Sequence, residues 1–405
     1  MKKTENNVEE YNFMRVLLTI LVVIGHSAYL NMSFGFGGVD YTSADSLGNC
    51  FSTGYYAFLF QIVGIIYFFH MPAFFFLSGA VFHAGGNKYE SVPLENQERL
   101  KKDCFDFGIM VEKKGKRLLY PAIVAGVFWM IPLKYLGNGY SSIAVLPYAV
   151  INGIFLGQGT GHLWYLYTLF WIFLISCLLF KYFVKERLHV LLLFIFMLGT
   201  FYSVIALSLP GGISIMYYLL FFLAGYLFER FRTKLVNGRY TYVLIFMIVI
   251  VFISYHFTAT VVTTGFFWQD WLKTLGILAS TVLVFILSHF LCKTKMAESR
   301  IYDMLKKHAF HIYLLHDPVN YVIMNIFHKL FGGKEAINWT YVSIGLSVVR
   351  IVGNLLFCMA ISALIMKIKP VKTGWILLLL SMISLVVMFY YNLRGLSIEM
   401  NVFRA

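Results

Sequence analysis

The sequence predicts an all-α protein, a polytopic transmembrane bundle of about eleven helices with its N-terminus in the cytoplasm. Three observations carry that reading. Only 13% of the 405 residues are charged, 60% are hydrophobic, and the mean hydropathy is +0.74. A soluble domain carries roughly 25% charged residues. The chain divides into apolar stretches of about 20 residues, each long enough to cross a bilayer core of about 30 Å. The basic residues alternate from loop to loop as the positive-inside rule requires.

The expected spans are 13–31, 56–83, 118–136, 163–183, 189–208, 213–229, 240–258, 271–292, 309–330, 341–366 and 373–392. The first follows a polar leader, residues 1–12, with no small-residue cleavage site behind it, so it reads as a retained helix and not a signal peptide. The eighth opens with Trp268, Asp270 and Lys273. Segment 143–157 is apolar but short, which suits a re-entrant or interfacial piece. Leu94 to Arg117 has the composition of a helix lying along the membrane surface.

With the N-terminus inside, 25 of the 33 Lys and Arg residues fall in cytoplasmic segments, 6 in external segments and their edges, and Arg15 and Arg350 within spans. A missed or invented helix would invert that alternation downstream. The net charge of +14 is therefore mostly topology. Nucleic-acid binding needs a basic face on a soluble module, and none is present. Of the five cysteines, Cys50 alone falls outside, without a partner for a disulfide, and no spacing suits zinc.

Ionisable groups inside a bilayer are costly and mark candidate sites. Arg15 and His26 lie 11 residues apart on the first helix, three turns plus about 20°, so they share one stripe with about 16 Å between them. That suits a long ligand whose anionic head is held at the inner surface while its reactive tip meets a buried base. An Arg snorkelling to headgroups above a His bonded within the bundle is the bland alternative. On the second helix His70 lies at a similar depth, beside Pro72, which kinks the helix. His162 follows a Gly-rich turn at the external surface, next to Trp164 and Tyr165, and histidine beside aromatic faces is a natural sugar-binding edge. An aromatic belt explains the two rings equally well.

The ninth helix carries His308, His311, His316 and Asp317. Neighbours on a helix do not face each other, so Asp317 needs a partner on another helix. Arg350, on the tenth, lies at compatible depth, and a structural Asp317–Arg350 pair is the expectation. Should the two not meet, Asp317 becomes a candidate partner for His26 or His70. The run Glu112-Lys-Lys-Gly-Lys-Arg117 places Lys114 and Arg117 where they can grip phosphates beside Arg15, or serve only as a stop signal for translocation.

Taken together these pieces resemble the acyltransferase-3 family of multi-pass membrane acyltransferases. The resemblance is carried by Arg15 with His26, the Phe-His-Met-Pro-x-Phe-Phe-Phe-Leu-Ser-Gly run at 69–79 and the Lys-Arg-Leu-Leu-x-Pro start of the third helix. His-Leu-Trp-Tyr-Leu at 162–166 and Ile-Tyr-Leu-Leu-His-x-Pro at 312–318 complete it. The 162–166 element looks most like the branch that modifies periplasmic glucans and exopolysaccharides. The resemblance implies a core of about ten helices within 13–369, leaving 373–405 as an extra helix and a short tail. It implies transfer of an acyl group, acetyl or succinyl, from cytoplasmic acyl-coenzyme A to a hydroxyl of a surface or periplasmic glycan. The acyl group would not be an aminoacyl group, and the enzyme would sit in the cell (inner) membrane.

It further implies His26 as the catalytic residue and Arg15, Lys114 and Arg117 at the donor site. The family often has two arginines before the third helix, and lysine at 114 loses the bidentate fork. His70, Ser78, His162, Trp164 and His316 are candidates for the acceptor or transfer path. The expected partners are acyl-coenzyme A, a carbohydrate and the bilayer, with no permanently bound cofactor or metal. Whether a periplasmic accessory protein completes the transfer stays open.

The chemistry needs a base for the hydroxyl proton and stabilisation of an oxyanion, and His26 suits the base or a transient acyl carrier. The Gly-x-Ser-x-Gly elbow of soluble hydrolases is absent. A glycolipid or polysaccharide flippase would also place charges at mid-membrane, but matching interrupted halves are not visible.

Overall fold

A computed structural model describes residues 9–28, 55–86, 106–140, 142–182, 211–229, 241–260, 267–331 and 340–367, with a few single positions between them. Among these the chain is helical, with no strand beyond an isolated bridge at Leu209 and Gly212. The helices are α1 (Glu9–Ser27), α2 (Tyr55–Gly86), α3 (Phe107–Leu136), α4 (Ile143–Phe155) and α5 (Gly161–Tyr182), then α6 (Ile215–Glu229), α7 (Thr241–Thr260), α8 (Phe267–Leu291), α9 (Arg300–Phe331) and α10 (Thr340–Ile365).

Five of them are long and apolar enough to cross a membrane: Phe58–His83, Phe107–Leu136, Gly161–Tyr182, Trp271–Leu291 and Thr340–Ile365. The protein is thus a multi-pass, all-helical membrane protein. Its outer surface agrees, because Phe246 and Phe252 on α7, Leu330 on α9 and Leu356 on α10 are exposed, as lipid-facing side chains are. The expected spans at 189–208 and 373–392 lie mostly or wholly outside the described residues, as does Cys50. Segment 143–157 forms the short α4, too short to span. The basic run before the third helix is not a separate surface helix. From Phe107 onward it is the first part of α3 itself, continuous through a π-turn at Gly115–Leu119; the first part of the expected surface helix lies outside the described residues.

The tightest seam joins α2 and α6. A Cβ added at Gly79 would fall inside the van der Waals shell of the Phe222 carbonyl, and one at Gly225 would do the same to Phe76. Small residues let two backbones approach in this way. The neighbours are backbone, so no rotamer change relieves the clash. Around this seam packs an aromatic core that includes Phe75, Phe76, Phe221 and Phe222. α1 lies against α2, α8 and α9, so its two ends can address different partners.

Gly225→Val should therefore destabilise the fold by about 1–3 kcal/mol, the usual cost of overpacking. Thermal unfolding in detergent, followed by size-exclusion, measures it. A variant with the wild-type midpoint would show that the seam is looser than the backbone contact implies.

Candidate active site

Pro318 shapes the middle of α9. It has no N–H to give to the Leu314 carbonyl one turn back, and that carbonyl instead accepts His162 Nε2 at 2.9 Å. The next two carbonyls are also met from other helices. Trp129 Nε1 on α3 donates to Leu315 O at 3.0 Å, and Asn354 Nδ2 on α10 donates to His316 O at 2.8 Å. The Tyr313 hydroxyl in turn donates to the carbonyl of His162. One opened turn thus gathers α3, α5 and α10 around α9.

Into this knot project the polar side chains. Asp317 is buried, and its two oxygens are divided. Oδ1 lies 2.9 Å from His26 Nδ1. Oδ2 lies 3.0 Å from Lys134 Nζ and 3.2 Å from His162 Nδ1. The His26 ring stands 4.8 Å from that of His316 and 6.4 Å from that of His162. A carboxylate only accepts, so His26 gives it the Nδ1–H and its lone pair belongs to Nε2. His316 turns Nδ1 to the carbonyls of Ile312 and Tyr313, at 3.1 and 2.9 Å. Its Nε2 is buried without a hydrogen-bond partner among the described residues.

The expected Asp317–Arg350 pair is not the one the structure makes. Lys134, only 1% exposed, takes the role. Arg350 sits in a π-turn of α10, Val349–Gly353. It donates from Nη2 to the backbone carbonyl of His26 at 3.3 Å and from Nε to Asn320 Oδ1 at 3.4 Å. Depth was compatible for both cations; bearing around the bundle separated them. Arg350 thus holds the end of α1, while Lys134 neutralises the carboxylate. Because Lys134 and Asp317 cancel, His26 need not be charged to balance Asp317.

Lys134 is put there by the way α3 ends. Gly137 N bonds to Leu133 O at 2.8 Å and Gly139 N to Lys134 O at 2.7 Å, with Asn138 between them at φ 57°. Asparagine is among the few side chains that accept that left-handed geometry. Asn325 on α9 clamps the terminus, donating to Leu136 O at 2.8 Å and accepting from Asn138 Nδ2 at 2.9 Å. The Lys134 ammonium also lies over the Tyr321 ring at 4.6 Å. In the sequence Lys134 counted only as an edge charge. A lysine inside Ile-Pro-Leu-Lys-Tyr-Leu was the one signal of its role.

Of the other candidates, His70 bonds to Ile66 O at 2.8 Å and packs against Tyr67, whose ring is 4.8 Å from His70 and 6.4 Å from His26. Ser78 donates to Phe74 O and meets Tyr165 Oη. Trp164 packs against Phe75 and Tyr218. His308 and His311 both meet Ser362 Oγ, at 2.7 and 2.8 Å, away from Asp317.

The N-terminal end of α1 is a second locus. Arg15 and Arg117 are both exposed there and close enough for their charges to repel. Arg15 donates to Asn12 Oδ1 at 3.1 Å. Lys114 instead lies over the Phe173 ring, 3.4 Å from its centre.

Residues 8–362 match the acyltransferase-3 family model, described as an acyltransferase domain. No curated protein and no solved structure matches the chain. The family match covers most of the 405 residues, and the chain belongs to that family of membrane acyltransferases.

Removing one member of a buried pair costs about 3–5 kcal/mol, because the other charge is left uncompensated. Lys134→Met and Asp317→Asn should each lower the yield of folded protein, and the double variant should recover a good part of it. Arg350→Gln with Asp317→Asn should show no such recovery. Folded yield by fluorescence-detected size exclusion reads both cycles; recovery in the second alone would return Arg350 to the carboxylate.

Proposed function

We propose, with that family membership as the premise, that the chain moves an acyl group from acyl-coenzyme A to a hydroxyl of a surface or periplasmic glycan, using His26 and Asp317 as a catalytic dyad. The 2.9 Å contact between His26 Nδ1 and Asp317 Oδ1 carries this reading. It has the logic of a base oriented by a carboxylate. Asp317 holds the ring by Nδ1–H and leaves Nε2 to take the proton of the attacking hydroxyl.

The hydroxyl oxygen then bonds to the thioester carbon, and the tetrahedral oxyanion collapses with loss of the thiolate. The proton on His26 Nε2 passes to the thiolate sulfur. Both the new ester and free coenzyme A are thus formed with atoms and charge in balance. His316 Nε2, buried and unmatched, would accept a hydrogen bond from a second hydroxyl of the acceptor sugar and so orient the one that attacks. His162, whose Nε2–H is given to the Leu314 carbonyl, would support the site indirectly by fixing the opened turn of α9 beside Asp317.

Arg15 and Arg117 supply the other half. Two exposed guanidinium groups that repel each other are stabilised by an anion between them, and charge-assisted hydrogen bonds to phosphate are strong. The positive-inside count favours the cytoplasm for this end of α1, the side from which acyl-coenzyme A would enter. Arg15 and His26 then span about 16 Å of helix, with the phosphates at one end of a thin acyl-bearing arm and the thioester at the other. Lys114, occupied with Phe173, is the weakest member of the proposed donor site.

His26→Ala should lower acyl transfer by about 100-fold or more, the usual range for a lost general base, with expression unchanged. Release of the coenzyme A thiol by purified protein, with acetyl and succinyl donors compared, reads this step. Normal turnover by a well-folded His26→Ala variant would exclude the dyad, and a chain that transports a glycolipid without cleaving any thioester would be a flippase.

Arg15→Ala and Arg117→Ala should raise the KM for the donor several-fold and leave that for the acceptor nearly unchanged. The reverse pattern in steady-state kinetics would put the phosphates elsewhere.

A further inference from the structure

Glu10, in the first turn of α1, meets the end of α8 across 279 residues of sequence. Its Oε1 lies 3.2 Å from His289 Nδ1. Cys292 follows His289 by three residues, which puts both on one face of the helix end. Its thiol lies 3.0 Å from the His289 carbonyl. One ligand atom from each of Glu10, His289 and Cys292 falls within 4.8 Å of the other two.

Carboxylate, imidazole and thiolate are zinc's protein ligands, with N and O bonds of about 2.0–2.1 Å. Two such ligands at a tetrahedral ion stand about 3.3 Å apart by the same geometry, close to the observed 3.2 Å edge. His289 is 4% exposed; with Nδ1 turned to Glu10 as the ligand atom, its Nε2 carries the ring hydrogen. Around the set, Arg232 Nη1 lies 3.8 Å from Glu10 Oε1 and is held by Glu229, its Nε 3.1 Å from Oε2. An ionised carboxylate and thiolate contribute two negative charges, which a divalent ion balances.

We propose that Glu10, His289 and Cys292 bind a divalent transition ion, zinc foremost, with water in the fourth position. Soft thiolate and imidazole ligands select zinc over magnesium or calcium. On binding, the Cys292 thiol gives its proton to solvent and its sulfur bonds to the ion. The ion ties the first turn of α1 to the end of α8. Glu10 is 16 residues from His26, about 24 Å of helix, so the ion takes no part in the chemistry at His26. The inference does not depend on the proposed reaction.

The test uses the full chain in detergent, free of any histidine tag, stripped with a chelator and titrated with cobalt. About one equivalent should bind, with the near-ultraviolet charge-transfer band of a thiolate–cobalt bond. Cys292→Ser should abolish the band. Glu10→Gln and His289→Ala should weaken binding by more than the roughly 10–100-fold that a lost outer-layer partner costs. Added zinc should also protect Cys292 from a thiol reagent, mapped by peptide mass, which decides the matter in the wild-type chain if a variant does not fold. Absence of the band with unprotected Cys292, or a Cys292→Ser variant that keeps the band, overturns the proposal.

Discussion

A carboxylate cannot stand ionised and alone inside a membrane-spanning bundle, and the centre of this protein is arranged around that constraint. Asp317 is met by an ammonium on α3, an imidazole on α1 and another on α5. Each of those helices must end or bend at the right level to deliver its group. The α3 terminus is therefore clamped by Asn325, and the end of α1 is held at the His26 carbonyl by Arg350. A buried pair contributes little net stability against well-packed apolar residues, because desolvation of both charges opposes it. Its retention here is better explained by what it does for His26. The positive charge that Asp317 requires comes from Lys134, and the His26 ring meets the same carboxylate without having to supply that charge.

Pro318 adds a second layer to the same arrangement. A proline in a helix usually appears as a defect, since it removes a hydrogen bond and pushes away the preceding carbonyl. Here the freed acceptor at Leu314 is the anchor of His162. The two carbonyls after it anchor Trp129 and Asn354. Backbone polar groups in a bilayer have to be satisfied within the protein, so the opened turn recruits side chains from three helices. The residues beside Asp317 are thereby oriented by the main chain of α9 itself.

α1 connects this buried centre to the basic end of the bundle. Its stripe carries Arg15 at one end and His26 at the other, and the helix is packed on several sides by α2, α8 and α9. Glu9 reinforces the first turn, bonding to Lys306 Nζ at 2.8 Å and to the Tyr302 hydroxyl at 2.6 Å. A rigid rod of known rise then sets the distance between the Arg15 guanidinium and the His26 imidazole. Glu10 and the end of α8 anchor the same turn from another side.

What could be read from the sequence was whatever depends on neighbours along one helix. Composition and stretch length established a helical membrane protein, because the bilayer sets a minimum length and forbids unsatisfied backbone. Helical periodicity placed Arg15 and His26 on one stripe, and Pro72 marked a kink in the second helix. The order of short motifs indicated the family that the match over residues 8–362 establishes. Depth in the membrane was also legible, and it misled in one instance: Arg350 and Asp317 have compatible depths but different bearings around the bundle. Bearing depends on how helices far apart in sequence pack, and only the tertiary structure decided it. That is why Lys134 passed as an edge charge and His162 as a surface aromatic neighbour, though both converge on Asp317. It is also why Glu10 showed no sign of meeting His289 and Cys292. A side chain's partner across a bundle is fixed by the packing of whole helices, and no single helix carries that information.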